Sequence, residues 1–311
     1  MIQKIQYLLK RVIRSLIRDY RNFFNLISIH LKLLFIHPVY YSREYLNVLK
    51  SLILVLIRRS YILDRIYRKL NRLIFEFELR IDIYMKKMFL GTFQSNVINT
   101  LLKYLKKGDT FFDIGANVGY ITAIAAGIVG KKGKVYSFEP IPRYFKRLQK
   151  LSRLNKQYNI KTYNFSLGKT DGVAEINLPK VKNIGHNTMV PGLINSQDIK
   201  ETIKINVKRL DDFILKENIE KISLIKIDVE GYEFPVLEGL TKFFEQRKEK
   251  LPPIVVEITP QAYKLMNSSL KELELFMKKY SYQAYTSDGK NKINLENLKN
   301  VRLIDILFIK E

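Results

Sequence analysis

From about residue 80 onward the chain is predicted to form an α/β fold around a mostly parallel, seven-stranded sheet with helices on both faces. Three observations predict it. Short apolar runs alternate with helical patterns over this whole stretch. One run is followed by a tight turn, Gly115 to Gly119, that opens a helix. The next run ends on an acid, Glu139.

In chain order, β-rich apolar runs predict strands at 110–114, 134–138, 160–165, 223–228, 254–257, 282–286 and 303–309. Helical periodicity predicts helices at 121–129, 143–155, 234–244 and 270–280. Between the third and fourth parallel strands lies a long excursion, residues 166–213, with β-like pieces at 173–178 and 202–207 around a Gly/Pro/Asn-rich stretch. Long loops inside a compact domain are usually functional.

Residues 1–79 follow a different logic and are predicted to be a helical extension. Over residues 1–29, Lys4, Arg11, Arg14, Arg18 and Arg21 share one helical face, opposite Ile2, Ile5, Leu9, Val12, Leu16, Tyr20, Phe23 and Ile27. Pro38 ends or kinks this element. A second helical run is predicted over residues 41–77, with Arg58, Arg59, Arg65, Arg68 and Arg72 behind an apolar block at 51–57.

The 311 residues are 47% hydrophobic and 27% charged, the composition of a globular protein. There are no cysteines, which excludes disulfides and Cys-ligated zinc and suits a reducing compartment such as the cytoplasm. The formal net charge is +24. Residues 1–90 hold 18 basic and 6 acidic side chains, a net +12, and the remaining 221 residues hold another +12 at less than half the density. A field of that sign attracts anionic lipid, acidic polysaccharide or nucleic acid. No run reaches the roughly 18–20 apolar residues of a membrane span. The nearest, residues 22–42, is interrupted by His30, Lys32, His37 and Pro38, and no signal peptide with a small-residue cleavage site is visible.

Asp113-Ile114-Gly115-Ala116-Asn117-Val118-Gly119 joins a strand to a helix. Gly115 and Gly119 permit a turn that a ligand approaches closely, and Asn117 tolerates left-handed dihedrals. Glu139, twenty residues on, is placed to accept hydrogen bonds from both hydroxyls of a ribose. That pairing serves NAD and S-adenosylmethionine alike. The turn discriminates: a pyrophosphate wants Gly-x-Gly-x-x-Gly, whereas here Asn117 takes the middle position and Asp113 precedes the first glycine. An acid there suits the ammonium of an amino-acid tail, so S-adenosylmethionine is the expected cofactor.

These blocks resemble the FkbM-type methyltransferase family. The matching residues run Phe112-Asp113-Ile114-Gly115-Ala116-Asn117-Val118-Gly119-Tyr120, Ser137-Phe138-Glu139-Pro140 and Arg209-Leu210-Asp211-Asp212-Phe213. They continue with Ile225-Lys226-Ile227-Asp228-Val229-Glu230-Gly231-Tyr232-Glu233 and Val256-Glu257. The first two blocks are common to many methyltransferases; the one around Asp228 is more specific to this family. The resemblance covers residues 79–311 and implies a Rossmann-like class I methyltransferase domain over 80–311. It also implies O-methylation of hydroxyls on glycan or glycolipid sugars or on polyketide-type products.

Asp228 ends the fourth parallel strand, and strand alternation sets Lys226 and Asp228 on one face. A sugar hydroxyl is a poor nucleophile, and its methylation gains from a positioned base or a metal. The candidate catalytic residues are Asp228, His186, Glu230 and Lys226, with Glu257 and Asn187 as candidate substrate contacts and Ser166 joining the cofactor set. His186 is the one histidine in the catalytic domain, and imidazole's ordinary pKa of about 6.5 lets it accept a proton near neutral pH. Asp228 is the rival base, or else orients the hydroxyl. Glu233 either serves the site or caps a helix near Phe234, and Glu257 faces either substrate or water. Asp211 and Asp212 are expected to cap a helix over 213–216. A divalent metal through Asp228, Glu230 and Glu257 is conceivable, but no recognised ligand spacing supports it, and no metal is expected. The strand end lacks the Pro-Pro tetrapeptide of many nitrogen methyltransferases, which disfavours a base nitrogen as acceptor.

The leading segment has two readings, a helix lying on an anionic inner-membrane face or a lid or oligomer interface. A nucleic-acid methyltransferase with a basic arm and a cofactor-binding module without catalysis are the competing functions. The membrane reading predicts that the chain sediments with anionic but not neutral liposomes and that high salt reverses it. Equal binding by a chain lacking the leading segment contradicts it.

Overall fold

The computed structural model describes residues 66–70, 73–77, 83–91, 93–180, 185–247 and 250–311. The helices expected over residues 1–65 lie outside the described residues.

The first described element corrects the sequence reading. Residues expected to end a helical run form an antiparallel pair, β1 (Ile66–Leu70) and β2 (Leu73–Phe77). In β2, Leu73, Phe75 and Phe77 are buried and Ile74 is exposed, while Glu76 is buried in an ion pair with Lys150 of the later helix, all in a segment whose arginine spacing mimics a helix. A deletion meant to remove only the leading segment therefore stops at residue 63, ahead of this hairpin. Helices α1 (Ile83–Leu90) and α2 (Ser95–Tyr104) follow.

The core alternates β3 (Thr110–Ile114), α3 (Tyr120–Val129), β4 (Lys134–Phe138), α4 (Pro142–Leu154) and β5 (Asn159–Tyr163). The excursion holds β6 (Ser166–Gly168), β7 (Gly172–Pro179) and β8 (Ile199–Arg209), which make a separate three-stranded sheet in the order β6-β8-β7. Then come α5 (Leu210–Lys216), β9 (Leu224–Ile227), α6 (Glu233–Glu238), α7 (Thr241–Gln246) and β10 (Ile254–Ile258). The chain closes with α8 (Pro260–Leu265), α9 (Leu270–Lys279), β11 (Tyr282–Thr286) and β12 (Ile304–Lys310).

The main sheet has the expected seven strands, in the order β11-β12-β10-β9-β3-β4-β5. Six of them run in one direction, and β12 alone enters antiparallel, between β10 and β11. Strand order reverses between β3 and β9, so a crevice opens at their carboxyl ends, where open α/β sheets bind ligands.

α3 is buried along nearly its whole length, which fits its run of Ile, Ala and Val. The hairpin packs on α3 and α4. The side chain of Asn155, wholly buried at the end of α4, completes the edge of β2: its Oδ1 accepts from Ile74 N at 2.7 Å and its Nδ2 donates to Ile74 O at 2.8 Å. The amide thereby satisfies backbone groups that burial would leave without water.

One expected helix, 234–244, is instead two short ones. At Gly239 a Cβ would lie 2.3 Å from Gly168 O, so β6 presses on the backbone there. Gly239 O accepts from Asp211 N at 3.0 Å instead of continuing a helix ladder. The Asp211 carboxylate then accepts from Lys242 N and Phe243 N, each at 2.9 Å. It thus caps α7 and not the helix it begins. No helix among the described residues is long and apolar enough to cross a membrane.

Candidate active site

The centre of the crevice is built on a buried lysine. Register pairs Asp113 of β3 with Lys226 of β9, side by side in the sheet. Lys226 Nζ lies 3.2 Å from Asp113 Oδ1 and 3.2 Å from Asp228 Oδ2, and it donates to Gly115 O at 3.2 Å. Burial alone would push its ammonium down. The carboxylates of Asp228 and Asp113 outweigh burial and hold it above the ordinary lysine range.

The turn after β3 is drawn onto the end of β9. A Cβ at Gly115 would sit 1.8 Å from Asp228 O, and Gly115 has φ +78°, so glycine is required both by space and by dihedral. Asn117 is also left-handed, at φ 52°. Its N–H donates to Glu139 Oε2 at 2.9 Å, and Ile141 N–H donates to Oε1 at 2.8 Å. Burial raises the Glu139 carboxyl to about 7, against the pull of those two backbone donors. Each oxygen keeps a lone pair for a further donor. The turn therefore touches Asp228 at one end and Glu139 at the other.

Past β9 the chain turns sharply, with Glu230 at φ 52° and Gly231 at φ 101°. Glu233 Oε1 accepts from Gly231 N at 2.7 Å and Val229 N at 3.3 Å, so it braces this turn instead of capping the helix it begins. Burial raises its carboxyl to about 8. One oxygen each from Asp228, Glu230 and Glu257 lie within 4.8 Å of one another. Burial, then repulsion from Asp228 and Glu230, holds Glu257 well above the carboxylate range, and a hydrogen bond to Asp228 adds to it. Glu230 is raised by burial, which the nearby His186 opposes. Asp305, opposite Glu257 on β12, rises to about 6 for the same reason of burial. These three carboxylates could hold an oxygen-preferring divalent cation. Protons held on Glu230 and Glu257 relieve the same repulsion.

The excursion folds back over this end. Thr188 pairs with Asn177 of β7 through two backbone hydrogen bonds, and its Oγ1 donates to Glu230 O at 2.6 Å. This tether sets His186 Nδ1 3.8 Å from Glu230 Oε2, with the imidazole 43% exposed on the open side.

Of the residues expected at the site, Asp228, Glu230, Glu257 and His186 thus meet at one strand end, while Gly115, Asn117, Gly119 and Glu139 line the neighbouring turn. Four others are placed differently. Asp113 is wholly buried, taking Thr122 Oγ1 at 2.6 Å and Lys226, so it anchors the turn from below. Lys226 is 4% exposed and acts through its neighbours. Ser166 is buried, its Oγ 3.3 Å from Met189 Sδ. Asn187 is buried against α4, within reach of Arg143 and Tyr144. Sequence reasoning missed Thr188, Asp305 and Gln94, whose Nε2 donates to Asp228 Oδ2 at 2.8 Å. Asp305 had a signal, an acid inside an apolar strand.

A sheet of this order, with a buried acid just past β4 and a carboxylate cluster where β9 and β10 end, is that of a Rossmann-like class I methyltransferase. The family model for the methyltransferase FkbM domain matches residues 113–284. The chain belongs to that family. Methyltransferase 1 of Beauveria bassiana is 27% identical over 168 residues, covering 48% of this chain and 65% of that protein. The hexuronic acid methyltransferase AglP of Haloferax volcanii is 27% identical over 149 residues, covering 48% of this chain and 56% of that one. The chain thus spans less than two-thirds of either relative. Among solved structures, a methyltransferase FkbM from Methylobacillus flagellatus KT aligns at a TM-score of 0.41 and 18% identity, over 68% of this chain and 48% of that one.

Glu139 yields a prediction. A ribose needs its ionised form, so affinity for S-adenosylmethionine should rise as pH passes upward through about 7. Glu139→Ala should cost ~1.5–3 kcal/mol of that affinity. Calorimetry between pH 6 and 8 checks both, with Glu139→Gln expected to remove the pH slope; a slope that survives in Glu139→Gln assigns it to another group.

Proposed function

We propose that the chain is an S-adenosylmethionine-dependent O-methyltransferase whose acceptor is a hydroxyl on a glycan or glycolipid sugar. The observation that carries the reading is the meeting of Asp228, Glu230 and Glu257 with His186 beside the turn that leads to Glu139. When bound, S-adenosylmethionine supplies an electrophilic methyl carbon. Glu139 accepts the ribose hydroxyls, and Gly115 and Asn117 let the backbone approach them. Asp228, with Lys226 and Gln94 against its Oδ2, accepts from a sugar hydroxyl beside the one that reacts and so orients the acceptor, whose reacting hydroxyl points its own proton at His186. His186 takes the hydroxyl proton, and Glu230 steadies the imidazolium that results.

The relative from Haloferax volcanii, a hexuronic acid methyltransferase by name, supports a sugar acceptor. The +12 carried by residues 1–90 supports a place beside an anionic membrane surface, where a lipid-linked sugar would be presented.

Labelled S-adenosylmethionine incubated with cell extract split into lipid, polysaccharide, nucleic-acid and protein fractions tests the acceptor. Label is expected in the lipid or polysaccharide fraction. Label in nucleic acid alone contradicts the reading, and binding without any transfer makes the chain a cofactor-binding module. His186→Ala is expected to lower turnover by ~10²–10⁴-fold with cofactor affinity unchanged. A loss below about fivefold returns the base to Asp228. Activity abolished by a chelator and restored by magnesium gives the acidification of the hydroxyl to a cation on the three carboxylates.

A further inference from the structure

We infer that Gln94 is a positioning residue for the acceptor, holding the Asp228 carboxylate in the rotation that receives the hydroxyl. The inference rests on the reading that Asp228 faces the acceptor. Gln94 lies before the 113–284 stretch that the family model matches, so it is a contribution of this chain's N-terminal elements to the site.

The geometry is unusual for a residue at its place. Gln94 precedes α2 and its carbonyl accepts from Ile98 N at 3.0 Å, as an N-cap carbonyl does. An N-cap side chain ordinarily turns back to its own helix N–H groups from an extended backbone. Gln94 does neither. Its backbone is left-handed, at φ 47° and ψ 44°, and its amide makes no cap hydrogen bond. It reaches instead to Asp228 Oδ2 at 2.8 Å, 134 residues away in sequence.

Phe93 fixes the segment that performs this reach. Its ring meets Tyr84 of α1 at 5.4 Å and Tyr120, the first residue of α3, at 5.9 Å, both edge-on. Tyr120 in turn meets Phe75 of β2 edge-on at 6.0 Å. An aromatic chain therefore runs from the hairpin to the turn residue before Gln94. A left-handed conformation that L side chains avoid survives only where surrounding structure enforces it, and such positions gather at functional sites.

Lys226 and Gln94 approach the same oxygen from different elements, one buried in the sheet and one from the rim. Two donors on Oδ2 set the plane of the carboxylate. Glu257 also hydrogen-bonds Asp228 from β10, and Gln94 is the donor that comes from the rim.

The test compares Gln94→Ala, Gln94→Gly and Asp228→Asn in the full chain. Methyl transfer from labelled S-adenosylmethionine is followed into whichever extract fraction the wild type labels, alongside cofactor calorimetry and thermal unfolding. Gln94→Gly relaxes the left-handed backbone, so it keeps or gains stability while losing the amide. Both Gln94 variants are expected to lose on the order of 10–100-fold in turnover with cofactor affinity unchanged. The loss should fall on turnover and leave the KM for S-adenosylmethionine where it is. In an Asp228→Asn background, loss of Gln94 should cost nothing further. Turnover of Gln94→Gly within about threefold of wild type, with Asp228→Asn impaired, or a further loss when Gln94 is replaced in the Asp228→Asn background, overturns the inference alone. Full activity of Asp228→Asn, or no fraction labelled by the wild type, overturns the reading of Asp228 and the inference with it.

Discussion

The site depends on one buried charge. Lys226 sits in the middle of a sheet with almost no exposure, where an ammonium survives only if it is paired and hydrogen-bonded. Its partners are Asp113 on the neighbouring strand, Asp228 at its own strand end, and Gly115 O in the turn. Those three contacts bind the turn proposed to address the cofactor to the strand end proposed to address the acceptor. The closeness of Gly115 to Asp228 follows from this, and no side chain fits between them.

The remaining acids are held by other means. Lys226 compensates Asp113 and Asp228, which leaves Glu230, Glu257, Glu233 and Asp305 crowded and largely dry. Their carboxyls are all raised, each chiefly by burial. A chain with a net charge of +24 thus keeps an acidic crevice that holds protons near neutrality. Such a crevice fits the proposed step, in which a proton leaves a hydroxyl.

Much of this was legible before the fold was seen, and the failures have physical causes. Strands β3, β4 and β11 begin and end where their apolar runs do, and the turn at residues 115–119 is written in its glycines. Asp228, Glu230 and Glu257 could be placed near one another because parallel strands end together. The hairpin at residues 66–77 was hidden by arginines at helical spacing. The break at Gly239 depends on a contact with Gly168 that no local pattern encodes. Asp113 was read as a ligand contact because its place beside the turn is visible in sequence, whereas the direction of its side chain is set by register with Lys226. Gln94 left no signal at all, since only the folded chain brings it to Asp228.

Thermal unfolding and S-adenosylmethionine calorimetry of Lys226→Met test the account most directly. Methionine keeps much of the lysine's length but leaves Asp113 buried without its cation, and breaking a buried pair this way typically costs about 3–5 kcal/mol. For a domain of this size that corresponds to a fall in Tm of about 10 °C. The released turn should also lose at least about tenfold in cofactor affinity, or ~1.4 kcal/mol. A variant that melts within about 2 °C of wild type and binds the cofactor as tightly would contradict the claim that this lysine holds the two halves of the site together.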